Sequence, residues 1–155
     1  MCFDHRRLHP SRRFGAMMRK LDNRGVAAFE FILVFVSLFT LIFAIFDLGR
    51  YAITMQSLRK LASAGARAVM INCYTPALLQ SPPQSPSGCT GDPMPTTDKQ
   101  NAAPFLYFGG LTPTLNVASS GNNLTVTASQ AGFAMLMPIW GTALNAPSAS
   151  TTIPF

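Results

Sequence analysis

Charge is scarce in this chain. Asp, Glu, Lys and Arg make up only 12% of its 155 residues, against about 25% in an ordinary soluble domain. Such a deficit, in a sequence that is 48% hydrophobic, points to a membrane, to export, or to a surface that packs on copies of itself. Histidine is scarcer still: only His5 and His9 occur. Beyond residue 50 the acids are Asp92 and Asp98 alone. General acid–base catalysis therefore lacks its usual groups, and Gly109-Gly110 is no phosphate-binding loop. The expectation is a non-enzyme. His5 and His9 stand four apart, a spacing that suits a metal on a helix, but no further ligand accompanies them. No metal and no cofactor is assigned.

The formal charge of +6 is unevenly placed. Arg6, Arg7, Arg12, Arg13, Arg19, Lys20 and Arg24 precede residue 26, opposed only by Asp4 and Asp22. The high isoelectric point thus describes a basic leader. No aromatic or Gly-rich nucleic-acid module goes with it, so nucleic acid is not an expected partner.

Residues 26–46 read VAAFEFILVFVSLFTLIFAIF, with Glu30 their one ionisable group. As a helix this run spans about 31 Å, the thickness of a hydrocarbon core. A helix is the single-segment structure that satisfies its own backbone there. The basic leader places the N-terminus in the cytoplasm and the remainder outside. A cleaved signal peptide would be shorter and would end at a small-x-small site. This run instead ends in Phe46-Asp47-Leu48-Gly49-Arg50.

An acid inside the membrane costs about 2.5–3.5 kcal/mol at the bilayer centre and less near an end. Glu30 lies about one turn in. Either it snorkels to the interface, or it meets a positive partner when subunits associate. Arg24-Gly25-Val26 stands just before the run. With a cut between Gly25 and Val26, Glu30 becomes the fifth mature residue. This resembles the type IV prepilin signal. The resemblance implies a prepilin peptidase acting at the cytoplasmic face, and a Glu30 that pairs with the N-terminal amine of a neighbouring subunit. Two opposite charges buried together cost less than either alone. A leader of 25 residues is long for this class. A start at Met17 or Met18 gives a more typical one, and then Cys2, His5 and His9 carry no meaning.

Helical patterning continues past the membrane. Tyr51, Met55, Leu58, Ala62, Gly65 and Val69 are spaced 4, 3, 4, 3, 4, a coiled-coil-like stripe. It packs either on the chain's own small domain or on other subunits. Asp47 and Arg50 stand in position to pair. The helix is expected to end before Asn72, after about 45 residues and about 65–70 Å. The series Arg24-Gly25-x-Ala27-Ala28-x-Glu30-Phe31, then Leu48-Gly49-Arg50, then Ala64-Gly65-Ala66-Arg67-Ala68 resembles the TadE-like family. These are minor-pilin-like proteins of the Tad (tight adherence) pilus and secretion system. The likeness covers about residues 24–70. It implies a pseudopilin whose partners are prepilin peptidase, other pilin-like subunits, the Tad inner-membrane assembly platform and the lipid bilayer. Two positions depart from the family's pattern. Val36 stands where a Pro is frequent, which implies a straighter helix, and Ser63 stands where an Arg is frequent.

After Tyr74 the composition shifts. Pro76, Pro82, Pro83, Pro86, Pro93 and Pro95 mark an irregular loop. Cys73 and Cys89 flank much of it. Outside the cytoplasm they are expected to form a disulfide, with two free buried thiols as the alternative. Asp98 is expected to cap a short helix running to about Ala103. Thr114–Ser119 and Leu124–Ser129 read as two strands about a turn at residues 120–123. Leu124, Val126 and Ala128 form their buried face. The apolar stretch Phe133–Trp140 suggests a third segment. The expected fold is α+β and membrane-anchored: one long N-terminal helix with a small outer hairpin or sheet packed on it. Its parts are a basic cytoplasmic leader (1–25), a transmembrane helix (26–46), a helix extension (47–71), a Pro-rich disulfide loop (72–97), a small outer α/β region (98–140) and a flexible tail (141–155). The expected location is a bacterial inner membrane, crossed once, with passage into a pilus left open. The alternatives are an uncut, signal-anchored envelope protein with a small binding or structural domain, or a module that binds something outside through its disulfide loop.

Overall fold

The computed structural model describes residues 23–155. The basic run up to Lys20, the two histidines, Cys2 and the alternative starts at Met17 and Met18 lie outside the described residues. The chain divides into two units, Met1–Leu38 and Phe39–Phe155. One helix, α1 (Asn23–Val69), contributes to both.

In the first unit α1 is the described element, and its apolar side chains are exposed all round from Val26 to Leu38. Polar backbone is handled locally: Ser37 returns its hydroxyl to the Leu33 carbonyl at 2.9 Å. In the second unit a three-stranded antiparallel sheet packs on the outer half of α1. Its strands are β1 (Thr114–Ser120), β2 (Asn123–Ser129) and β3 (Ser148–Pro154), in that order. Ser120 pairs with Asn123, leaving a two-residue turn of Gly121 and Asn122. Gly121 takes φ +59°, which the first central residue of such tight hairpins requires.

Strand alternation sends Leu115, Val117, Leu124, Val126 and Ala128 to one buried face. They join Leu58, Leu61, Ala62, Ala66 and Val69 of α1 in one core. At their meeting point a Cβ on Gly65 would stand 2.9 Å from Leu115 Cδ2 and 3.1 Å from Val126 Cγ1. The helix can therefore come this close only with glycine there. The predicted stripe faces this core at Leu58, Ala62, Gly65 and Val69, with Tyr51 and Met55 half-buried. Its outer part serves the chain's own sheet. Leu61 and Ala66 widen it into a face, as a globular helix needs.

Four expectations are corrected. The helical path does not stop before Asn72. It passes through a π-helical turn (Met70–Tyr74) into α2 (Thr75–Leu78). Pro76 sits in the first turn of α2, where a missing N–H costs nothing. The Thr75 hydroxyl donates to the Met70 carbonyl at 2.7 Å. Second, the proline-rich stretch is not wholly irregular, because it also holds a 3-10 turn (Pro86–Gly88) and the start of α3 (Thr96–Ala102). Third, Pro95 and not Asp98 occupies the N-cap of α3; Asp98 lies in its first turn, where an acid favours the helix dipole. Fourth, the tail is not unstructured. Ser148–Pro154 is β3, in register with all of β2 from Asn123↔Pro154 to Ser129↔Ser148. Main-chain pairing asks little of side chains, and Thr151, Thr152 and Ile153 suit a pleated strand. The apolar stretch 133–140 is the irregular part, with a 3-10 turn at Pro138–Trp140.

Gly65→Leu should lower stability by about 1–3 kcal/mol, the usual range for overpacking a filled core. Chemical denaturation of the detergent-solubilised protein checks this; an unchanged midpoint would mean that the sheet is not held this close.

Candidate functional site

Three features of α1 bear on function: its entry, its exit from the apolar run, and its covered outer half. At the entry, Gly25 and Val26 lie in the first turn and are exposed. Glu30 follows one turn later, also exposed on the helix surface. From Val26 to Phe46, large apolar side chains face outward, among them Phe29, Phe31, Val34, Leu41 and Ile45. Among the described residues this is the one helix long and apolar enough to cross a membrane.

At the exit, Asp47 is only 1% exposed. The backbone N–H of Leu136 donates to both its oxygens, at 3.1 and 3.0 Å, and that of Met137 donates to Oδ2 at 3.1 Å. Arg50 Nη1 approaches Oδ1 at 3.5 Å, and its guanidinium lies 5.4 Å from the centre of the Phe133 ring. Tyr51 meets the same ring at 6.2 Å between centroids. Asn145 steadies the loop from the other side, its Oδ1 accepting from Met135 N at 3.0 Å. The loop from Phe133 to Asn145 is thus clasped to the helix one residue beyond the apolar run. Sequence reasoning had paired Asp47 with Arg50 alone and missed the backbone donors. The available signal was an acid directly after a membrane-length run, which needs more than one exposed cation to be buried.

Beside the clasp, Gln130 is buried and gives its Nε2 to the Leu106 carbonyl at 3.0 Å. It borders a cavity of about 70 Å³ shared with Arg50, Phe105, Phe108 and Phe133. Farther out, Lys99 is buried and paired with Asp92, which also accepts from Met94 N at 3.2 Å. Both groups are structural. Among the described residues no cluster of three or more His, Cys, Asp or Glu side chains is placed to hold a metal.

Cys73 and Cys89 are joined by a disulfide, with Cα atoms 5.8 Å apart. It ties the π-helical turn to a segment that carries Gly91. Gly91 and Val117 exchange backbone hydrogen bonds at 2.9 and 2.7 Å, which covers part of the free edge of β1.

The family model described as TadE-like protein matches residues 25–67. This stretch of α1 is TadE-like. The match covers the helix entry, the apolar run, the clasp residues on α1 and most of the covered face. No curated protein and no solved structure matches the chain. Within the TadE-like stretch, Ala62, Gly65 and Ala66 form the floor on which the sheet rests, while Arg67 is exposed.

Asp47→Ala should cost about 1–3 kcal/mol, because it leaves backbone donors without acceptors in a covered place. Arg50→Ala should cost no more than about 1 kcal/mol, since its side chain is 43% exposed. Limited proteolysis within 133–145 reads both: faster cutting of the first variant alone is the expected result. Thiol labelling before and after reduction should show Cys73 and Cys89 blocked until reduced. The bridge closes a loop worth about 3 kcal/mol in chain entropy.

Proposed function

We propose that the chain is a pseudopilin-like structural subunit, anchored by α1 and assembled with other pilin-like subunits of a Tad-type pilus or its secretion machinery. One observation carries this reading. The TadE-like stretch is a single helix whose outer half is covered by the chain's own sheet, whereas its inner half exposes apolar side chains all round with one acid among them. The inner half is left for lipid and for neighbouring helices.

Prepilin peptidase cuts between Gly25 and Val26 at the cytoplasmic face. This peptide lies in the first turn of α1, where hydrogen bonding is weakest and the helix frays. The new amine of Val26 on one subunit then meets Glu30 on the next. In a medium without water, that pairing selects one axial offset between neighbours. The role is assembly and not catalysis. The C-terminal region lies outside the cytoplasm, where the Cys73–Cys89 bridge persists. The Tad inner-membrane platform is the site at which subunits are added.

Mass spectrometry of the protein from cells with an active prepilin peptidase should give Val26 as the N-terminal residue. Recovery of the uncut leader alone would favour a plain signal-anchored envelope protein. Glu30→Leu should insert as well as the parent, because a cost of up to about 3 kcal/mol is removed. It should nevertheless abolish piliation; normal pili would remove the assembly role of Glu30.

A further inference from the structure

The outer region ends, on its side nearest the apolar run, in a rim of exposed apolar loops. Leu136 is 76% exposed and Ile139 58%, and Phe108 is 80% exposed beside Phe105 at 41%. The two phenylalanine rings stack on one another, 6.5 Å apart. Trp140, the chain's one tryptophan, sits in the same loop as Leu136 and Ile139 but is half-buried, with its indole nitrogen covered by the protein. Left in water, these side chains are an aggregation hazard.

Their height along α1 is fixed by bonds already described. Leu136 and Met137 donate to Asp47, and Asp47 is the residue after Phe46, the last of the apolar run. Phe105 and Phe108 border the cavity that Arg50 and Thr54 also line. Asp47 to Thr54 is about 10 Å of helix rise. The polar interfacial layer of a bilayer is about 5–8 Å deep on each side. The Leu136–Ile139 loop, held at Asp47, therefore lies where that layer must be, if the apolar run crosses the bilayer, and Phe105 and Phe108 lie towards its outer limit.

The chemistry matches that place. Residues 100–155 contain no Asp, Glu, Lys or Arg, so no charge on these loops opposes contact with lipid. The nearby cation is Arg50, half-exposed and stacked on Phe133, at the height of headgroup phosphates. Exposed Leu, Ile and Phe side chains are the kind that a surface lying on a bilayer sinks into this boundary. Of the other exposed apolar side chains, Ile71, Leu78 and Leu79 lie at least about 36 Å of helix rise beyond Asp47 and are out of reach of the same bilayer.

We propose that the rim formed by Leu136, Ile139 and the Phe105–Phe108 pair is a lipid-contacting surface, which seats the outer region in the headgroup layer around the exit of α1. This rests on the reading of α1 as a membrane anchor, and holds whichever side of the membrane the region occupies. The Asp47 clasp is the device that holds the rim at that height.

Trp140 reports on it directly. The full chain in phosphatidylcholine nanodiscs should lose about half of its tryptophan emission when the host lipid is brominated near the headgroup end of its chains, and little when iodide is added to the water. Quenching by iodide and not by the brominated lipid would overturn the proposal. So would shielding from both, which would mean that no lipid comes within reach of this loop. Replacing Leu136 and Ile139 together by Ser should cut the bromolipid quenching by about half; unchanged quenching would also overturn it. Alkaline carbonate extraction from vesicles separates this from the anchor reading. A chain that is extracted overturns both. A chain that stays while Trp140 remains unquenched by lipid overturns the rim alone.

Discussion

The sheet reaches α1 because small residues stand where they meet. At Gly65 the distances leave no room for a methyl group unless Leu115 or Val126 moves. That close approach lets one row of strand side chains fill the space above Leu58, Leu61 and Ala62. A domain of this size has few residues for a core, so it borrows half of one from a helix that also has another task. Everything outside the apolar run is arranged about that contact. The hairpin supplies the buried row, β3 extends it, and the disulfide segment covers part of the free edge of β1 through Gly91.

α1 thus serves two surroundings in one element. Up to Phe46 it presents apolar side chains outward and satisfies its backbone internally. From Asp47 it becomes the floor of a folded region. The change from exposed apolar helix to covered helix is marked by one carboxylate. Asp47 is buried, yet its charge is met mainly by backbone N–H groups of a loop nearly ninety residues later in the chain. Backbone donors are available at any position, which suits a C-terminal half that has no cationic side chain beyond Lys99. The clasp also explains why an irregular, strongly apolar loop has a fixed place at all.

The TadE-like match and the covered face of α1 overlap in sequence but differ in extent. The matched stretch holds both halves of α1, but only the inner half remains uncovered. A stripe read from spacing alone was open to either use. The sheet decides it, since Leu58, Ala62, Gly65 and Val69 are spent on the chain's own core. The surface around Glu30 and the faces of the outer helix that carry Arg59 and Arg67 stay exposed.

Much of this was determined locally and was legible in the residues. The apolar run, its single acid and the basic leader follow from composition and period. The hairpin follows from alternation about Gly121-Asn122, and Cys73 and Cys89, flanking the proline-rich stretch, were the natural pair. What went unread depends on partners distant in sequence. The strand at Ser148–Pro154 looks like a polar tail because its stabilisation comes from β2's main chain, which no side-chain pattern records. Helix beyond Asn72 survives Pro76 because a π-helical turn rearranges the backbone first. Asp47's true partners are N–H groups, present in every residue and so invisible as a motif. Side-chain period and charge are written along the chain; backbone pairing across the fold is decided only when distant segments meet.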